Sequence, residues 1–364
     1  MSQPRLSIVV VAYDMAREIP RTIRSLSPLM QRGIKADDYE IILVDNGSPN
    51  PLTAEACPAH GATLRLHRQS PAPASPVAAV NTGLALARGD LIGVMIDGAR
   101  LASPGLLAQA LTASRLHHRP VIGTLGFHLG PKVQMDSVRE GYDQQAEDAL
   151  LAEVDWETDG YHLFDISVFA GSSAGGWFAM PAECNAVFLP SALWSELGGF
   201  DPGFTSAGGG LVNLDTWARA CALPDSDVIL LLGEGTFHQM HGGIATNRPD
   251  APRAAWQAEY RRLRGRTYQR PDRPLCHVGT VAPQALRSIQ RNGSAQQALT
   301  LTGSLATPAA AIQPQTTPVG EPSHLAKPVA ATPETVTRLV LDARQQILQA
   351  EIEPAMDAIS RFRR

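Results

Sequence analysis

Residues 6–13 read LSIVVVAY, a nearly unbroken apolar run rich in β-branched side chains. A strand of this kind has no face to give to water, so it must be covered on both sides, as inside a parallel sheet flanked by helices. Ile19, Ile23, Leu26 and Met30 then recur three or four residues apart, a helical stripe that tolerates Pro20 only in its first turn. The alternation continues. EIILVDNGSPN (40–50) reads as a second buried strand, TLRLHR (63–68) as a third, VNTGLALARG (80–89) as a helix stopped by Gly89, and DLIGVMID (90–97) as a fourth strand. Strands alternating with helices at this spacing predict a doubly wound α/β sheet.

Polar residues punctuate each unit at the same place. Tyr13 and Asp14 end the first strand, Asp45 and Asn46 the second, and Asp97 the fourth. Ligands of open parallel sheets bind beyond the carboxyl ends of the strands, so these residues are expected to meet at one crevice.

Residues 120–180 are less regular, rich in glycine, and carry Trp156, Tyr161 and Trp177. Beyond them, 183–201 predicts a strand, a helix and a Gly-Gly stop, 214–223 a helix, and VILLLG (228–233) a last buried strand. Three regions are therefore expected: a globular domain over 1–280, a linker over 281–333 in which Ala, Thr, Pro, Gln and Ser dominate from about residue 293, and an amphipathic helix over 334–364. The apolar stripe of that helix, Val336, Leu339, Val340, Ala343, Ile347 and Leu348, needs a surface to cover it: its own domain, a second copy, or a partner protein.

Composition removes several classes of function. With 44% hydrophobic and 18% charged residues, the 364-residue chain can bury a sizeable core, and its net charge of -4 offers no general attraction to nucleic acid or anionic lipid. No stretch approaches the length of apolar chain that spans a bilayer, and the first residues lack the pattern of a signal peptide, so a cytoplasmic protein with at most peripheral membrane contact is expected. Cys57, Cys184, Cys221 and Cys276 are scattered without a C-x-x-C pair and read as reduced thiols. The first strand-to-helix turn, AYDMAREIP, has no glycine, and no phosphate loop or nucleophile elbow occurs elsewhere.

The order of motifs resembles that of the inverting family 2 glycosyltransferases, whose fold is of the GT-A type. SIVVVAYDMAREIPRTIRSL is similar to the opening strand and helix of that family, EIILVDNGS to its second strand, and PVAAVNTGLALARGDLIGVMIDGA to the segment ending in its acidic metal-binding motif, D-x-D. GGFDPGF and NLDTWARA resemble the acceptor-side motifs, and HQMHGG the late histidine motif, so the likeness runs from Leu6 to about His241. It implies a GT-A type doubly wound, mixed but mostly parallel sheet with helices on both faces, followed by the linker and the C-terminal helix. It also implies a nucleoside-diphosphate sugar as donor and a hydroxyl of a glycan, lipid-linked or protein acceptor.

Such a transfer needs a base for the acceptor proton and positive charge for the departing diphosphate. On the resemblance, Ala12 and Tyr13 would wall the nucleotide pocket, Asp45 would contact the base, and Asn81 would lie on the donor side. Asp45 can equally serve an Asx-type turn, and Asn81 a helix N-cap. Asp97 is the candidate ligand for a ribose hydroxyl or for Mn²⁺ or Mg²⁺. The second carboxylate of D-x-D is replaced by Ala99. Either a divalent metal is held by Asp97 with His241 or His238, or Arg100 supplies the charge without a metal. Asn213 stands where the resemblance places the base, which leaves Asp215 and Glu183 as candidates, with Asp201 as a further one. Trp156 and Trp177 are candidate acceptor contacts. The alternative to an enzyme is a silent sugar-nucleotide-binding or scaffolding protein acting through its C-terminal helix.

Overall fold

The computed structural model describes residues 3–243 and 252–291, all inside one compact unit of the chain. In order, the elements are β1 (Leu6–Ala12), α1 (Glu18–Ser25), β2 (Tyr39–Asp45), β3 (Thr63–Arg68), α2 (Val77–Leu86), β4 (Leu91–Met95), β5 (Arg100–Ala102) and α3 (Leu106–Leu116). There follow β6 (Pro120–Leu129), α4 (Gln134–Arg139), α5 (Gln144–Glu153), β7 (Ser167–Phe169), β8 (Val187–Pro190), α6 (Ser191–Leu197) and α7 (Val212–Cys221). β9 (Asp227–His238), α8 (Arg253–Arg264), β10 (Leu275–Gly279) and α9 (Pro283–Arg291) close the described chain.

One mixed sheet runs β10-β9-β6-β8-β4-β1-β2-β3, with β5 paired to β9 and β7 to β6. β1 is parallel to both β2 and β4, while β8 enters antiparallel between β4 and β6. Alternation along β1 sorts the core into two layers. Leu6, Ile8, Val10 and Ala12 join Ile19 and Ile23 of α1 and Leu106, Leu107 and Ala110 of α3. Val9 and Val11 join Val77 and Val80 of α2, Trp194 of α6 and Trp217 of α7. The apolar run that opens the chain is thus covered on both faces, as its lack of polar positions demands.

The chain leaves β1 for β2 and β3 on one side and returns to β4 on the other. That reversal opens a crevice at the carboxyl ends of β1 and β4. Among the described residues no helix is long and apolar enough to cross a membrane.

Two expectations need correction. Residues 283–291, which fall within the expected linker, form helix α9, and its Ala285 is fully buried. Trp156 and Trp177 are 5% and 1% exposed: both are core residues, and the Trp177 indole N–H donates to the Glu234 carbonyl at 3.2 Å. The irregular insert that carries them wraps an aromatic cluster of Phe127, Phe164, Phe169 and Phe237. The helix expected over 334–364 lies outside the described residues.

Candidate active site

A cleft of about 1190 Å³ lies at the carboxyl ends of the central strands. Ala12 and Tyr13 after β1, Asn46 and Gly47 after β2, Asp97 after β4 and His128 near the end of β6 all line it, together with Arg100, Glu183, Asn213 and His241. Tyr13 is the most exposed of the large apolar side chains along its rim, at 55%.

Local geometry explains the meeting at Asp97. Gly98 has room for no side chain, because a Cβ there would lie 2.5 Å from the Val11 carbonyl oxygen and 2.8 Å from Ile19. The chain therefore turns tightly into β5, whose antiparallel register sets Arg100 opposite His238 at the end of β9. Ala99 is fully buried among the apolar residues of the α1 layer. Its methyl group packs where a second acidic ligand was expected.

Asp97 Oδ2 lies 2.8 Å from His238 Nε2, and Oδ1 lies 3.5 Å from His241 Nε2. The two imidazole Nε2 atoms are 3.1 Å apart. His238 Nδ1 meets Oε1 of Gln134, so the ring is held between that amide and the Asp97 carboxylate. One oxygen and two nitrogens within 4.8 Å of one another suit a divalent metal, so the residues fit the ion that the resemblance implies.

The charges respond to this crowding. Enclosure works against the Asp97 carboxylate, but attraction to His241 and His238 outweighs it and holds the group well below the usual range. Burial pushes His238 down to about 4 despite Asp97. Burial also opposes protonation of His241, yet Asp97 raises it above the ordinary histidine value. His128 is depressed well below that value by burial, with His238 and Arg100 adding to the effect.

Arg100 is 5% exposed, and burial lowers its pKa against the pull of Asp97 and Glu183. Its Nη2 is 3.7 Å from Asp97 Oδ2, while the buried Nε and Nη1 have no hydrogen-bond partner. Unpaired guanidinium donors lining a cleft form a site for an oxyanion.

The loop carrying His241 is fixed from behind. Glu147 of α5 accepts the Met240 N–H at 2.7 Å, and Arg17 donates to the Met240 carbonyl at 3.1 Å while pairing with Glu147 at 3.2 Å.

Also on the cleft wall, Asn213 Nδ2 donates to Glu183 Oε2 at 2.8 Å and to the Cys184 carbonyl at 3.1 Å. Gly208, Gly209 and Gly210 beside it all have positive φ, between 56° and 86°, which only glycine adopts three times running without strain. Gly208 and Gly210 bring bare backbone to the cleft wall.

Four candidate acids and amides, Asp215, Asn81, Asp45 and Asp201, do not reach the cleft wall. Asp215 is 1% exposed, 2.8 Å from Arg219 and 2.5 Å from Arg264. Doubly paired and enclosed, it clamps α7 to α8. Asn81 sits inside α2 and brackets Phe200, donating to its carbonyl at 2.8 Å and accepting its N–H at 2.9 Å. Asp45 accepts the N–H groups of Ser48 at 2.8 Å and Leu52 at 3.3 Å, with Arg68 at 3.4 Å, so it holds the turn that presents Asn46 and Gly47. Asp201 is tied to Arg264 at 2.6 Å.

The sequence reading missed His128, Gln134, Arg17 and Glu147. Only His128 left a signal, as a histidine near the end of the apolar run VIGTLGFHL.

Parts of the chain are similar to known glycosyltransferases. Residues 7–111 match the model of glycosyl transferase family 2. Two curated relatives, the uncharacterized glycosyltransferases of Mycobacterium tuberculosis strains CDC 1551 and H37Rv, are each 29% identical over 140 residues, which is 38% of this chain and 50% of theirs. The match thus spans about half the length of those relatives. Among solved structures, a mannosyltransferase of Pyrobaculum calidifontis with GDP-mannose and Mn²⁺ aligns at TM-score 0.42 and 16% identity, over 84% of this chain and 77% of that one. TarS of S. aureus with UDP-GlcNAc aligns at TM-score 0.43 and 14% identity, over 65% of this chain and 59% of that one. The match to the model of glycosyl transferase family 2 thus covers the segment that carries β1, β2, β4 and the Asp97–Arg100 turn.

Proposed function

We propose that the protein transfers a sugar from a nucleoside-diphosphate sugar to an acceptor hydroxyl, with inversion, in the assembly of a glycan, polysaccharide or glycoconjugate. The observation that carries this reading is the buried Arg100, whose Nε and Nη1 are unpaired in a cleft bordered by Asp97 and His241 and by Glu183.

The roles follow the chemistry of each end. Ala12, Tyr13, Asn46 and Gly47 would receive the nucleotide, Tyr13 offering an exposed ring face to the base. Arg100 would bind the diphosphate and meet the negative charge that grows as it departs. Asp97, His238 and His241 would hold Mn²⁺ or Mg²⁺, which adds positive charge at the same oxygens. Glu183, steadied by Asn213, would take the proton of the acceptor hydroxyl. Attack on the face opposite the leaving diphosphate would invert the anomeric centre in one displacement.

The test is incubation of the full chain with a panel of nucleoside-diphosphate sugars and candidate acceptors, with product anomers read by proton NMR. Transfer with inverted configuration supports the proposal. Donor binding without transfer or hydrolysis across the panel would instead favour the silent binder, and a product of retained configuration would remove Glu183 from its role.

A further inference from the structure

Away from the cleft, three side chains from separate elements converge on the α3 side of the sheet. His117 caps the C-terminus of α3, Asp227 opens β9, and Cys276 lies in β10. The register pairs Cys276 with Ile229, a residue of the α1 and α3 core layer. Alternation along β9 places Asp227 on that same face, where α3 ends. One ligand atom from each, an imidazole nitrogen, a carboxylate oxygen and a thiol sulfur, lies within 4.8 Å of the other two. His117 Nδ1 and Asp227 Oδ2 are already 3.4 Å apart.

We propose that His117, Asp227 and Cys276 form a second metal site, for zinc or an ion of similar softness. Zinc binds nitrogen at about 2.0 Å and thiolate at about 2.3 Å, so tetrahedral ligands stand roughly 3.3 to 3.8 Å apart. The present spacing reaches that with small side-chain movements. A sulfur in the donor set selects against Mg²⁺ and Ca²⁺, which take oxygen ligands. The chemistry therefore differs from that of Asp97, His238 and His241, which contain no sulfur. Binding displaces the thiol proton, and the fourth position is left to water. The ion would tie the edge strand β10, whose sheet partner is β9, to both β9 and α3.

Cys57, Cys184 and Cys221 are buried, whereas Cys276 is partly exposed, so a thiol reagent applied to the folded chain reads Cys276. The experiment adds Zn²⁺ to metal-free full-length protein and follows that reaction. Occupied thiolate should react at least about tenfold more slowly, and EDTA should restore the rate. Protection should persist in Asp97→Ala and vanish in both His117→Ala and Asp227→Asn, each checked for native circular dichroism. Co²⁺ should give a sulfur-to-metal charge-transfer band that Cys276→Ser abolishes. An unchanged thiol rate with zinc overturns the site. So does protection that survives both His117→Ala and Asp227→Asn, because zinc would then be resting on the thiol alone.

Discussion

The side-chain amide of Asn213 donates to Oε2 of Glu183 at 2.8 Å. The helix position at which the family likeness led us to expect a catalytic carboxylate therefore holds an amide, and a carboxylate from the segment before β8 stands beside it. An amide cannot serve as a general base, but it can orient one. The pair thus places an acidic group on the cleft wall from the segment before β8 rather than from α7.

On the proposed roles, Glu183 is the residue whose charge the reaction needs. General-base catalysis contributes roughly 10²- to 10⁴-fold, so Glu183→Gln should lower kcat by about that factor. Nucleoside diphosphate binding, measured by calorimetry, should change far less than kcat, because the proposed base acts on the acceptor hydroxyl. A variant with full turnover would remove Glu183 from the mechanism.

Asp215 should behave oppositely. Replacing it with asparagine leaves Arg264 and Arg219 without their enclosed counter-charge, a loss of about 3 kcal/mol for a buried pair with one partner removed. Urea denaturation should show a lower midpoint, while turnover at low temperature, where the variant stays folded, should remain within a few fold of the parent. A selective loss of kcat at unchanged stability would restore Asp215 as the base.

The contrast between these two acids shows what a sequence can reveal. Asp215 and Arg219 are four apart on a helix, a visible pair, but Arg264 arrives from 49 residues away and no local pattern announces it. Asp45 followed by Asn-Gly-Ser was legible as a turn and as a strand tip, and one residue type suits both roles, so only the contacts to Ser48 and Leu52 decide between them. β1, β2 and β4 were legible because burial on both faces leaves an unbroken apolar signature. Ala99 was legible as a missing carboxylate, yet its place in the core depends on the turn forced by Gly98 against Val11. The tryptophans of the insert were misjudged because 120–180 has no periodicity from which to tell an inward side chain from an outward one.

For the diphosphate end, the two sources of positive charge can be separated. A charge-assisted hydrogen bond contributes about 1.5 to 3 kcal/mol, so Arg100→Ala should weaken nucleoside diphosphate binding by roughly 10- to 100-fold whether or not a metal is added. EDTA should cost the parent protein less activity than Arg100→Ala does, because the buried guanidinium remains. Abolition of turnover by EDTA alongside an active Arg100→Ala enzyme would transfer the whole task to the ion.

Glu234 sets a pH dependence that does not involve the cleft. Its carboxyl group is 1% exposed and accepts the Ser103 hydroxyl at 2.5 Å, the Tyr161 hydroxyl at 2.8 Å and the Gly105 N–H at the start of α3 at 3.1 Å. Burial outweighs these bonds and pushes its pKa up to about 7. An unfolded glutamate ionises near 4.3, so below that pH both states are protonated and its contribution is fully present. As pH rises toward 7 the unfolded state releases its proton first, and stability falls by about 3 kcal/mol across that window. Glu234→Gln keeps an acceptor for Ser103 and Gly105 and offers an N–H to Tyr161, with nothing to ionise. The difference in unfolding free energy between parent and variant, measured by urea titration, should therefore shift in favour of the variant from pH 5 to pH 8. A difference independent of pH would mean that Glu234 is ionised in the folded protein throughout.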